Sequence, residues 1–211
     1  LDVLADGCAN VQHHVKCVTR HFGLPCVVAV NRFPNDTDEE IDVVRRKCLE
    51  AGATAAVEAT HFVNGGDGAA DLARAVVQAC DGPSTFSPLY SLDGMSVHEK
   101  LFAIVNKLYL ASAIDYSDLA KTQLAECEAD DRLKTLPICV AKTQYSLTTD
   151  PTAKGAPEGH VVKVREIKPS FGAGFIVVYA GDIMTIPGLP TRPNYYDIDL
   201  DPTTGKVIGL S

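Results

Sequence analysis

Apolar residues recur at helical spacing at the start of the chain. Val3, Leu4, Cys8, Val11, Val15 and Val18 fall mostly at i, i+3 and i+4, which predicts one amphipathic helix over 3–21. Phe22-Gly-Leu-Pro25 ends it, because glycine is favoured past a helix end and proline has no N–H to continue the ladder. Cys26-Val-Val-Ala-Val30 is apolar without alternation, as in a strand buried on both faces of a parallel sheet. After a loop over Asn31–Asp36, Thr37 or Asp36 is placed to cap a second helix, with Glu39 and Glu40 at the positive end of its dipole. Its apolar positions are Ile41, Val44, Cys48 and Leu49, and it stops near Gly52. Ala55–Ala59 reads as a second strand, His61–Gly68 as a glycine-rich loop, and Asp71–Cys80, with Leu72, Ala75, Val76 and Ala79, as a third helix. Strand, loop and helix in succession imply right-handed βαβ units over a parallel sheet.

The pattern changes at Gly82-Pro-Ser84. Phe86–Leu92 reads as a short extended piece, and Ser96 with Glu99 three residues on forms a capping box before a helix whose apolar face is Val97, Leu101, Ile104, Val105 and Leu108. A more charged helix is expected over Ser117–Asp130, and Leu136–Ala141 as the third strand of the same parallel sheet. Val161–Ile167 alternates and Phe175–Tyr179 is β-rich, so the glycine-containing link between them predicts an antiparallel hairpin. The fold class is therefore α/β: a parallel sheet with flanking helices, extended by a carboxyl-terminal β-hairpin. The expected division is a parallel α/β portion over 1–142, with a helical excursion at about 91–135, and a hairpin and Pro/Gly-rich extension over 143–211.

Composition narrows the partners. The 211 residues carry 19 Lys+Arg against 27 Asp+Glu, a net charge of -8, with no long basic run. That argues against a nucleic-acid partner, and no apolar run approaches the roughly 18 residues of a membrane helix. Cysteines at 8, 17, 26, 48, 80, 127 and 139 form no CxxC pair; several lie in apolar runs, so core packing in a reducing compartment is expected of them. Leu1 is not a methionine and no signal-peptide layout follows it, so the chain is expected to be processed or a piece of something longer.

Parallel sheets hold ligands at the carboxyl ends of their strands. The first such loop, Asn31-Arg-Phe-Pro-Asn-Asp36, is part of the Asn-basic-x-Asp pattern that reads purine edges in phosphate-loop hydrolases, with Pro34 in place of the carboxylate that selects guanine. Asn31 and Pro34 are thus candidate nucleotide or cleft contacts, and a loop whose Asn only stabilises a turn is the open alternative. The second loop, Thr60–Gly68, combines glycines that admit close backbone approach with an aromatic able to stack on a flat ring. Phe33 and Phe62 would then face one cleft from adjacent strand ends, unless both are core. His61 reads as structural. The chain has no GxxxxGK[ST], Gly-x-Ser-x-Gly or His-Glu-x-x-His, and no metal site is expected.

Four longer stretches are similar to one family. They are Val27-Val-Ala-Val-Asn-Arg-Phe-Pro-Asn-Asp-Thr-Asp-Glu-Glu40, His61-Phe-Val-Asn-Gly-Gly66, Leu136-Pro-Ile-Cys-Val-Ala-Lys-Thr-Gln-Tyr-Ser146 and Met184-Thr-Ile-Pro-Gly-Leu-Pro-Thr-Arg-Pro193. They resemble formate-tetrahydrofolate ligase, and the ending Tyr195–Pro202 resembles the versions fused in trifunctional tetrahydrofolate synthases of eukaryotes. The resemblance implies a phosphate-loop hydrolase-like fold. It also implies a reaction in which ATP phosphorylates formate and the N10 amine of tetrahydrofolate attacks the resulting formyl phosphate. ATP, magnesium and a monovalent cation are the implied cofactors, and formate and tetrahydrofolate the implied substrates. A homo-oligomeric full-length enzyme in the cytoplasm is implied, with the mitochondrion as the alternative.

Carried over by position, Phe33 matches an aromatic that stacks on the folate ring system, and Phe62 stands where the family usually has Trp. Asn64, Gly65 and Gly66 would shape the same folate site. Ile186 replaces a frequent Met, and Arg192 is a candidate subunit contact. The phosphate-binding loop and the catalytic residues of the family belong to an amino-terminal part absent from this sequence. The expectation is a carboxyl-terminal portion that is inactive alone. The alternative is an autonomous, non-catalytic folate- or nucleotide-binding or interaction module derived from the ligase.

Overall fold

The computed structural model describes residues 1–183 and 191–209. The Met184–Pro190 motif with Ile186, and the terminal Leu210-Ser211, lie outside them.

The first helix is interrupted. Instead of one helix over 3–21 there are α1 (Asp2–Gly7), α2 (Ala9–Lys16) and a wider π-helical turn, Cys17–His21. The break falls at Cys8, directly after Gly7, a poor helix former. β1 (Val27–Asn31), α3 (Asp38–Glu50) and β2 (Ala55–Ala59) then make the expected parallel unit, with Val27 opposite Ala55 and Asn31 opposite Ala59. Thr37 is the cap of α3: its hydroxyl accepts from the Glu40 N–H while the Glu40 carboxylate accepts from Thr37. A core of Val15, Cys48, Ala51, Ala53 and Ala56, with Val28 packed against it, joins α2 and α3 to the strands. Ile41 and Val43 are buried too, but Leu49 is 51% exposed, displaced from the expected apolar face.

The expected loop after β2 is two short helical turns, α4 (His61–Asn64) and a 3-10 turn over Gly65–Ala69, leading into α5 (Ala70–Cys80). Within α5, Val76 is exposed. No strand forms over Phe86–Leu92. Instead, the Tyr90 hydroxyl accepts from the Ile138 N–H at 2.9 Å.

A second layer follows: α6 (Val97–Lys107), β3 (Ala113–Tyr116), α7 (Asp118–Ala129), α8 (Asp131–Lys134), β4 (Ile138–Ala141), β5 (Val161–Ser170) and β6 (Phe175–Ala180). Ser96 and Glu99 form the expected capping box. Two expectations fail here. β4 is not a third strand of the β1–β2 sheet; it pairs parallel with β6 in a separate four-stranded sheet of order β3-β5-β6-β4. The antiparallel pair β5–β6 is the centre of that sheet, not an appendage, and β3 was not anticipated at all. Val97, Leu101 and Val105 of α6 and Ala120 and Cys127 of α7 pack against Val162, Val164, Ile167, Ile176 and Val178. Lys100 is buried in the same layer, donating its ammonium to the Lys134 and Leu136 carbonyls, and burial pushes its pKa down.

Four cysteines, at 8, 17, 48 and 127, are buried as expected, but Cys80 and Cys139 are exposed. Cys139 sits in an apolar run, yet it lies between Ile138 and Val140, which are packed against the core, so the alternation of the strand turns it to the other face. A short 3-10 turn, Asn194–Asp197, precedes the small antiparallel pair β7 (Asp199–Leu200) and β8 (Val207–Ile208). Arg192 pairs with Asp197 of its own chain. Among the described residues, no helix is long and apolar enough to cross a membrane.

The burial pattern separates two leucines. Leu101→Ala, at a residue 0% exposed in the second core, is expected to cost about 2–5 kcal/mol. Leu49→Ala, on the open side of α3, is expected to stay within about 0.5 kcal/mol. Chemical denaturation of the two variants checks the difference.

Candidate functional site

Parallel pairing forces the loops after β1 and β2 to leave from the same end of the sheet. The two aromatics are thereby brought together: the rings of Phe33 and Phe62 lie 5.3 Å apart between centroids and are tilted by 56°. Both are solvent-facing, 45% and 66% exposed respectively, so neither has the core role that is usual for phenylalanine. Among the described residues they form an exposed aromatic platform at the ends of the two strands. Three cavities of about 730, 640 and 620 Å³ lie elsewhere, and none includes either ring.

Each ring sits on a loop closed by its own hydrogen bonds. The Phe33 N–H donates to the Asp36 carboxylate at 2.8 Å, and the Asp36 N–H donates back to the Phe33 carbonyl at 3.0 Å. Asp36 therefore closes this turn, which leaves the helix cap to Thr37. On the other side, the Thr60 N–H donates to the Gly68 carbonyl at 2.9 Å, and the Asn64 side-chain amide donates to the Thr60 hydroxyl at 3.0 Å. Asn64, itself exposed, thus helps to hold its loop. Gly65 has φ +57°, where an L side chain is strained. Gly66 has open space around it, so its lack of a side chain is not demanded by packing. Gly68 is the glycine the geometry needs, since a Cβ there would come within 2.6 Å of the Thr60 backbone. Asn31 ends β1, and it, Pro34 and His61 are exposed around the platform.

Arg32 and Glu58 were not singled out from the sequence. The guanidinium of Arg32 meets the Asp38 carboxylate at 2.6 Å, the Glu58 carboxylate at 3.2 Å and the Asp36 carbonyl at 3.2 Å. These bonds, to Asp38 first and Glu58 second, hold its pKa above the usual value. The available signal was opposite charges beside the ends of two adjacent strands, which becomes a contact only once the register is known.

Among the described residues, no cluster of three His, Cys, Asp or Glu side chains is arranged to hold a metal ion. The one cation in the Phe33 loop is already engaged by carboxylates, so the platform offers apolar ring area and little positive charge.

Fold and site together define an α/β protein with an aromatic surface at the carboxyl ends of parallel strands, the end at which such sheets hold ligands. The family described as Formate–tetrahydrofolate ligase matches residues 1–211, and the chain belongs to that family. It is 46% identical over 208 residues to the formate–tetrahydrofolate ligase of Roseiflexus castenholzii, covering 99% of this chain and 36% of that protein. The Spinacia oleracea protein of the same name is 46% identical over 208 residues, covering 97% of this chain and 32% of its own length. The cytoplasmic C-1-tetrahydrofolate synthase of Schizosaccharomyces pombe is 44% identical over 212 residues, covering all of this chain and 22% of its own length. The chain thus spans only about a third or less of the relatives it matches.

The two glycines make opposite forecasts. Gly68→Ala is expected to cost about 1–3 kcal/mol through overpacking against Thr60. Gly66→Ala is expected to change stability by less than about 0.5 kcal/mol. Thermal unfolding of both variants under one buffer condition checks the pair.

Proposed function

We propose that this chain is the folate-contacting part of a ligase that joins formate to tetrahydrofolate, giving 10-formyltetrahydrofolate by way of formyl phosphate at the expense of ATP. The observation that carries the proposal is the Phe33–Phe62 pair, exposed and 5.3 Å apart at adjacent strand ends. Exposed rings have a free face to offer, and a flat bicyclic ring is the ligand that gains most from one. A ring stacked on one face needs no rearrangement. A ring held between two parallel faces, with about 3.5 Å to each, needs the centroids roughly 2 Å further apart than they stand. Phe62 supplies a stacking face but no N–H donor, so the platform binds by area and not by a hydrogen bond from this position.

Asn31, Pro34, Asn64, Gly65 and Gly66 shape the surroundings in this reading, Asn64 and Gly65 through loop conformation. The nucleotide is a different matter. The chain has no phosphate-loop motif, and Arg32, the basic residue beside the platform, is paired with Asp38 and Glu58, so the platform itself offers no cradle for the phosphates of ATP. The described residues likewise offer no carboxylate cluster for magnesium. We assign ATP, magnesium and the monovalent cation to the remainder of a longer polypeptide, and read β1–β2 as two strands of its phosphate-loop-type sheet. The same full-length form is the one we take to be homo-oligomeric. The cytoplasm is the compartment suggested by the name of the Schizosaccharomyces pombe relative.

Phe33→Ala in the full-length ligase carrying this segment is expected to weaken tetrahydrofolate binding by roughly 1–3 kcal/mol, the scale of ring stacking on an aromatic side chain. Equilibrium titration of folate measures it, and an unchanged affinity removes the stacking role. The purified 211-residue chain is expected to show no ATP-dependent formyl transfer; turnover by a pure sample would return the phosphate chemistry to these residues.

A further inference from the structure

We infer that Arg32 is a positioning residue for the folate-stacking surface: by clasping Glu58, Asp38 and the Asp36 carbonyl at once, it fixes the Phe33 ring relative to Phe62 without itself touching the ligand. The inference rests on the stacking role proposed for Phe33.

The two loops are each closed internally, so what sets one ring against the other is the linkage between them. Backbone pairing carries that linkage as far as the Arg32 N–H, which donates to the Ala59 carbonyl at 3.0 Å. Beyond that point Phe33 belongs to an exposed turn, and Thr60 begins the other loop. The Arg32 side chain is the described cross-connection at this level. Its Nη1 reaches Glu58 on β2, two residues before Thr60. Its Nη2 reaches Asp38 in the first turn of α3 and the carbonyl of Asp36, the residue that closes the Phe33 turn. A planar guanidinium can satisfy three acceptors in fixed directions, which a lysine ammonium on a flexible stem does not reproduce. Arg32 adjoins Phe33 in sequence, so a shift of its guanidinium moves the peptide that carries the ring. Three of its five N–H donors are spent on these protein acceptors.

The test is a double-mutant cycle in the full-length ligase carrying this segment, using Arg32→Gln, Phe33→Ala and the double variant, with tetrahydrofolate as the varied substrate. Arg32→Gln is expected to raise KM for tetrahydrofolate roughly tenfold with kcat changed less than about twofold, and Arg32→Lys to recover only part of that loss. In the Phe33→Ala background, Arg32→Gln is expected to add less than about twofold, because positions coupled through one contact are not additive. Glu58→Gln removes the β2 arm alone and is expected to reproduce the KM effect; it decides the matter if Arg32→Gln does not fold. A KM unchanged by Arg32→Gln while Phe33→Ala raises it overturns the positioning role and leaves stacking intact. An equal effect of Arg32→Gln in both backgrounds also overturns it, since Arg32 would then act on the ligand directly. A KM unchanged by Phe33→Ala removes the stacking reading, and the positioning role with it.

Discussion

The parallel register of β1 and β2 is the constraint on which the site depends. With Asn31 opposite Ala59, both strands end at one level, and the residues that follow them leave side by side. An antiparallel pair would send the two loops to opposite ends of the sheet. The crossover through α3 makes the parallel arrangement feasible, and its capping box and buried Ile41, Val43 and Cys48 fix where that helix starts and which side it presents. The outer edge of β2 is partly closed by the same helix, since Arg45 donates to the Ala56 carbonyl at 3.1 Å. β1 pairs with β2 alone among the described residues. A two-stranded parallel sheet is a small unit for a class of sheet normally buried on both faces, which agrees with a chain that spans about a third of its relatives.

The legible parts of the fold were those specified over one turn or one strand. Thr37 with Glu40 and Ser96 with Glu99 announce helix starts because the reciprocal bonds need only a fixed spacing of three. Val161–Arg165 alternates because one face of β5 packs on α6 and α7 while the other meets solvent, and a register shift between Val164 and Glu166 then brings Ile167 to the packed face. Sheet membership is another kind of fact. The run Leu136–Ala141 specifies an apolar strand and nothing about its neighbour, and its partner β6 lies more than thirty residues further on. Cysteine at 139 also hid the alternation that would have marked an open face. β3 is only Ala113-Ile-Asp-Tyr116, too short for a periodicity to stand out.

The site divides along the same line. Phe33 and Phe62 were visible because each follows a recognisable strand, and the parallel reading was enough to place them together. That they stand on an open surface follows from what surrounds them, which two loops alone cannot wall in. Asn64 also has a local task that the sequence did not announce: its amide donates to the Thr60 hydroxyl, a closure of the kind asparagine makes in turns. Of the three loop glycines, Gly68 matters most for packing because of a contact with Thr60, eight residues earlier. No composition argument distinguishes it from Gly66.

Charge and ring area have separate tasks at this surface. The net charge of -8 and the acidic residues around the first loop make it a poor place to hold phosphate. The same acidity is what lets one arginine bind three acceptors and stiffen an exposed turn. Half-exposed ion pairs add little stability individually, so the clasp is better understood by what it orients than by what it stabilises. An aromatic ring on a loose turn would lose part of its stacking gain to the entropy of ordering that turn on binding. Fixing the turn beforehand removes that loss. The electrostatics of this segment therefore serve recognition indirectly: carboxylates hold an arginine, the arginine holds a turn, and the turn presents a neutral ring.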